Sequence, residues 1–143
     1  MLLERILMEE LLQAANTRVL VGGPGLEDVR AICALLEEHK GSGVTALDLR
    51  ELNSWTDFFV IATVLSGVHL QGLMRHILEY ADRRGLAVFH RSRLKSNDGG
   101  GWNLVDMGTI VIHLMTTQSR EFYELEELWG SAVTIYPYSS KSS

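Results

Sequence analysis

One cysteine, Cys33, stands among 143 residues. It has no partner for an intramolecular disulfide, and a cysteine-rich zinc site is excluded with it. Scarce cysteine also fits a reducing, cytoplasmic compartment. Long apolar runs are missing too. The longest, Phe58–Leu65, has eight residues, where a membrane-spanning helix needs about 20. The opening MLLERILMEELLQ is interrupted by Glu4, Arg5, Glu9 and Glu10, so it lacks the apolar centre of a signal peptide. Basic charge is short: 13 Lys+Arg against 18 Asp+Glu give a formal net charge of −5. That balance disfavours electrostatic coating of DNA, which needs a basic surface. There is no internal repeat and no long low-complexity tract.

What is present is a globular composition, 46% hydrophobic and 22% charged, enough for one domain with a real core. Leu2–Ala15 reads as an amphipathic helix, with Leu3, Leu7, Leu11 and Ala14 on one stripe and Leu2 and Ile6 beside it. Gly22-Gly23-Pro24-Gly25 then reads as a linker, so residues 1–25 stand as an appendage to a main domain over 26–130. Such a helix either packs on its own domain or supports self-association, which makes a homodimer of the free protein one expectation. A second helix is expected from about Glu27 to Lys40, ended by a left-handed Gly41, with Cys33 buried on its apolar face. Val44–Leu49 and Thr56–Val64 read as strands joined by a turn at Asn53-Ser54. The second strand is apolar on both faces, as in a sheet covered on both sides. Ser66 is placed to cap the next helix, whose Leu70, Leu73, Met74, Ile77, Leu78 and Ala81 keep helical spacing up to Gly85. A short strand over Leu86–Phe89, a polar loop over residues 90–101, and a hairpin of Trp102–Asp106 and Ile110–Met115 turning at Met107-Gly108 follow. A last helix over Ser119–Trp129 buries Phe122, Leu125, Leu128 and Trp129, and residues 131–143 read as a mobile tail. The fold class is therefore α/β, a mixed sheet of roughly five strands flanked by helices.

The chemistry of familiar sites is thin. Gly22–Gly25 has no following Lys-Ser or Lys-Thr and is not a phosphate loop, and Gly99-Gly100-Gly101 lacks the strand-before, helix-after context. The five histidines form no H-E-x-x-H pair. His69 and His76 share a helix and read as solvated or partly packed. Asp48, Asp57 and Asp106 fall at or near strands, where a pair could hold Mg²⁺ for a nucleotidyltransferase-like reaction. No D-x-D pair exists, and Asp57 at a strand start fits a backbone-capping role. Ser92-x-x-Lys95 lies in a loop without the companions of a serine hydrolase. Neither a cofactor nor a metal is expected. Arg83, Arg84, Arg91, Arg93 and Lys95 form a local basic segment, of which Arg91, Arg93 and Lys95 are candidates for RNA contact. Trp102, Met107 at a turn tip, and Tyr123 beside the stripe of the last helix are candidate binding anchors, since exposed aromatic and methionine side chains dominate interfaces.

Several of these residues together resemble the ribosomal silencing factor family (Iojap-like proteins). They are Ala46-Leu47-Asp48; Ser54-x-Thr56-Asp57 opening the buried strand; Trp102; Val105-Asp106-x-Gly108 with Val111-x-His113; and Ser119-Arg120-x-x-Tyr123-x-Leu125-Glu126-x-Leu128-Trp129. The resemblance runs from about Leu26 to Trp129. It implies a nucleotidyltransferase-like fold without the catalytic residues, no enzyme activity and no cofactor. It also implies docking on the large ribosomal subunit, through a ribosomal protein of the joining face, so that the small subunit is kept off and translation falls when nutrients are short. In this reading Trp102, Met107 and Tyr123 form the apolar centre of the docking patch, and Asp106, Arg120 and Glu124 its rim. The chain departs from the family pattern in a longer, basic stretch over His90–Gly101, and in Met107 where the family has leucine.

Overall fold

The structure, a computed structural model, describes residues 24–52, 56–94, 101–123, 130 and 132–137, with Leu94, Phe122 and Tyr123 described in backbone alone. The expected helix over Leu2–Ala15, the turn at Asn53-Ser54 and the stretch 124–129 lie outside the described residues. The elements are α1 (Leu26–Glu38), β1 (Ser42–Asp48), β2 (Phe58–Val64), α2 (Gly67–Arg84), β3 (His90–Leu94), β4 (Trp102–Asp106), β5 (Ile110–Thr116), α3 (Thr117–Tyr123) and β6 (Val133–Tyr136). The strands form one mixed sheet in the order β3-β4-β5-β2-β1-β6. Its β2–β5 pair is parallel and the other neighbouring pairs are antiparallel.

Helix α1 buries Val29, Ile32, Cys33 and Leu36 on one stripe. Its start is tied down by Asp28, a carboxylate only 5% exposed. Asp28 accepts from the Gly25 amide at 3.1 Å, the Tyr80 hydroxyl at 2.6 Å and Arg84 Nε at 3.1 Å. Burial alone would push that carboxyl upward; these donors outweigh it and hold it below the usual range. The cluster therefore fastens the start of α1 to the end of α2. Helix α2 begins where Ser66 Oγ accepts from the His69 amide at 3.1 Å and ends at left-handed Gly85, φ 68°.

The left-handed position after α1 is Lys40, φ 76°, and not Gly41 as the sequence suggests. Gly41 is needed for space, because a Cβ there would stand 2.9 Å from the Leu36 carbonyl oxygen. A non-glycine residue in the left-handed region costs about 1 kcal/mol. Lys40→Gly is expected to raise the urea midpoint by the equivalent of about 0.5–1 kcal/mol, and an unchanged or lowered midpoint would count against strain at Lys40.

Strand β2 is buried at all seven positions, as its central place between β5 and β1 requires. Two further differences from the sequence reading stand out. The strand expected over Leu86–Phe89 begins four residues later, at His90–Leu94, inside the stretch read as a loop. HRSRL is polar because it forms the outermost strand, paired among the described residues to β4 alone, and charge on an edge discourages unwanted pairing. Residues 133–136 were expected in a mobile tail; instead they form β6 on the far edge against β1. Tyr136 secures that strand through a hydrogen bond from its hydroxyl to Glu37 on α1. Among the described residues the sheet thus has six strands where roughly five were expected.

Candidate functional site

The pleat sorts the sheet into two faces, since residues paired directly across strands share a side. On one side Val60, Ala62, Val105, Ile112 and Leu114 meet α1 and α2 in the main core. The other side carries three rows: Trp102–Met115–Thr63, Leu104–His113–Ile61–Thr45 and Asp106–Val111–Phe59–Leu47. The first residues of α3 lie along this second face, where Arg120 reaches Thr63 Oγ1 at 3.0 Å and Thr45 Oγ1 at 3.2 Å. Gly43, φ 55°, leaves room for that guanidinium; a Cβ there would stand 2.9 Å from Arg120 Nη1.

Trp102 and His113 form the centre of the face. Trp102 Nε1 donates to His113 Nδ1 at 3.1 Å, and Phe59 meets the imidazole edge-on at 4.4 Å between ring centres. A ring that accepts at Nδ1 and is neutral carries its proton on Nε2. That Nε2 is buried and has no hydrogen-bond partner among the described residues. Burial pushes the imidazole pKa down to about 3, with the Arg120 charge adding to the effect. His113 is thus held neutral between a tryptophan and an arginine.

Three candidate anchor and rim residues are corrected by burial. Trp102 is 1% exposed, and Met107 and Asp106 are 0%. Trp102 lies inward because its indole N–H has a buried acceptor in His113. Met107 faces the opposite side of the sheet and belongs to the α1/α2 core, where an unbranched side chain fills the space beneath the hairpin turn. Asp106 holds that turn, its Oδ1 accepting from the Gly108 amide at 2.9 Å. None of the three is a surface contact of the free chain. Arg120 is half-buried on the second face. Tyr123 ends α3, one turn beyond Arg120, with its side chain outside the described residues, as is Glu124. Arg91 and Arg93 are exposed on β3 and project to the α1/α2 side, level with Val105 and Asn103; Lys95 lies outside the described residues.

The carboxylates do not converge. Asp48 is engaged by Arg50 at 3.0 and 2.7 Å and pairs across from Phe58 on the helix side, whereas Asp106 points to the second face. His69 accepts from the Leu65 amide at 2.9 Å, and His76 stacks on His39 with ring centres 3.6 Å apart. Among the described residues no three His, Cys, Asp or Glu side chains gather as a metal would require. No helix among them is long and apolar enough to cross a membrane.

Sequence reasoning missed His113 as a buried hub, and Gly43, Thr45 and Thr63 as the seat of Arg120. The signal for His113 was its place inside the apolar strand Ile110–Thr116. The arginine seat has no local signal, because its parts lie far from Arg120 along the chain, Thr45 by 75 residues.

Comparison with known proteins gives a consistent result. Residues 25–142 match the family model described as ribosomal silencing factor during starvation. The ribosomal silencing factor RsfS of Treponema pallidum is 35% identical over 99 residues, 69% of this chain and 86% of that protein. The mouse protein named mitochondrial assembly of ribosomal large subunit protein 1 is 28% identical over 102 residues, 71% of this chain and 45% of its own length. A crystal structure of a Chromobacterium violaceum protein superposes with a TM-score of 0.64 at 24% identity, covering 81% of this chain and all of that one; it supports the fold.

Proposed function

From the premise that this chain belongs to the ribosomal silencing factor family, we propose that it docks on the large ribosomal subunit at a protein of the joining face. Bound there, it keeps the small subunit off and lowers translation when nutrients are short. The observation that carries this reading is the family match over residues 25–142, which spans every described element. The relatives named silencing factors have a regulatory role by name, and occlusion asks for a rigid surface and no bond chemistry.

The buried residues reassign how such a surface would work. Arg120, seated on Thr45 and Thr63, fixes α3 against the sheet, and we assign the contact itself to the α3 end that carries Tyr123, with Glu124 and the outer edge of Arg120 at the rim. Trp102, Asp106 and Met107 act from beneath by holding the hairpin. The net charge of −5 favours encounter with basic ribosomal proteins. Arg91 and Arg93, with Lys95, are left to touch RNA at the margin.

Sedimentation of the purified chain with separated bacterial ribosomal subunits tests the reading. It is expected to travel with the large subunit and to deplete joined ribosomes. A chain that stays at the top of the gradient while joining proceeds normally refutes it. Tyr123→Ala is expected to weaken large-subunit binding about thirtyfold, the effect of losing one central anchor worth about 2 kcal/mol, with little change in melting temperature. Binding within threefold of the unsubstituted chain would remove Tyr123 from the contact.

A further inference from the structure

Helix α2 carries two apolar stripes. Leu73, Ile77 and Ala81 are buried on the sheet. Leu70, Met74 and Leu78, one position away at each turn, are only half-buried. They form one wall of an open groove of about 660 Å³, whose opposite wall is Arg93 on β3 and Asn103 on β4. The groove runs on into a hollow of about 330 Å³ floored by Leu114 and reaching Gly101. At that end Leu65 and Val68 stand 73% and 84% exposed. Among the described residues, α1 and α2 thus leave the outer part of this layer, over β4 and β3, with space for a third helix.

We propose that the chain's own N-terminal segment, Leu2–Ala15, is that third helix, with Leu3, Leu7 and Leu11 seated in the groove. Length and position favour it. Fourteen helical residues span about 21 Å, and Leu70–Asp82 along the wall spans about 20 Å. The described chain begins at Pro24, whose carbonyl accepts from the Thr109 hydroxyl, and Gly25 is tied through Asp28 to Arg84. Its N-terminal end is therefore fastened where α2 ends, at one mouth of the groove. Residues 16–23 reach about 26 Å when extended, ample to return along it. On a helical projection Glu4 and Glu10 flank the leucine stripe, and the groove lining is charge-balanced, Arg75 and Arg93 against Glu79 and Asp82, so apolar fit decides the seating. The groove lies across the sheet from Arg120, so the strap and the contact assigned to the α3 end occupy different faces and succeed or fail separately, while Arg93 lines the groove.

Thiol labelling of the full-length chain tests this. Cys33 is fully buried and burial pushes its thiol up to about 12, so it stays silent in the folded domain and reports any unfolding. The thiol introduced by M74C, or by L78C one turn on, is expected to react at least tenfold more slowly than in the same variant carrying L7E and L11E, with Cys33 unlabelled throughout and the chain monomeric by light scattering. Independently, L7C/M74C is expected to close an intramolecular disulfide on mild oxidation, while L7C/Q118C, reporting the opposite face, does not. Labelling of M74C and L78C at the rate of the glutamate variants overturns the proposal. So does protection that fades on dilution of a dimer, which would put a second copy in the groove.

Discussion

Trp102→Ala is expected to lower the stability of the fold by about 3–5 kcal/mol, the usual loss when a large buried aromatic becomes a cavity. Trp102 is among the largest fully buried side chains, and its indole N–H satisfies His113 Nδ1. The substitution removes the packing of β4 on the second face and leaves a buried acceptor with no donor, two losses in one place. Total stabilities of single domains are about 5–15 kcal/mol, so a large part of the chain should be unfolded in modest urea. Trp102→Phe keeps most of the volume and loses the hydrogen bond, and should cost about 1–3 kcal/mol. A urea titration of the three proteins, followed by circular dichroism, decides. If Trp102→Ala melts like the unsubstituted chain and loses only ribosome binding, Trp102 is a surface anchor after all.

Acid should weaken the fold through His113. In the folded chain the imidazole is buried and neutral, with its pKa pushed down to about 3, while in the unfolded chain it takes up a proton near pH 6.5. Below that point the unfolded state binds more protons, so stability falls as pH falls, and the loss stops only near pH 3. One pKa unit is worth about 1.4 kcal/mol; the decline should be about 2 kcal/mol between pH 7 and pH 5 and about 4–5 kcal/mol when complete. Above pH 7 the group contributes no slope. His113→Asn places an acceptor near the old Nδ1 and cannot titrate. It should start from a lower stability and show a flatter profile between pH 7 and pH 5. Parallel profiles for the two proteins would place the acid sensitivity elsewhere, on the carboxylates.

The elements were largely legible because their signals are local. Ser66 and Gly85 bound α2 as their cap chemistry demands, the apolar run of β2 is a central strand, and Met107-Gly108 turns the hairpin with Gly108 at φ 92°. The misplaced strand at His90–Leu94 and the missed strand at Val133–Tyr136 are both edges. An edge strand is paired on one side and needs little apolar content, so periodicity does not announce it.

The candidate residues could be named from the sequence, but not the packing that buries Trp102, Met107 and Asp106. The order and spacing of Ala46-Leu47-Asp48, Ser54-x-Thr56-Asp57, Trp102, Val105-Asp106-x-Gly108, Val111-x-His113 and the run Ser119–Trp129 together carried the family, since order and spacing belong to sequence. Whether a tryptophan that opens a strand faces water or the interior depends on what stands across from it. Here that is a histidine 11 residues away, and for Arg120 it is a threonine 75 residues away. Fold class, the limits of α2 and family membership thus came from near neighbours. Burial of Trp102 and Met107 on opposite faces, the neutral state of His113 and the open groove beside α2 were decided only by tertiary packing, because each is set by contacts between distant segments that no local spacing encodes.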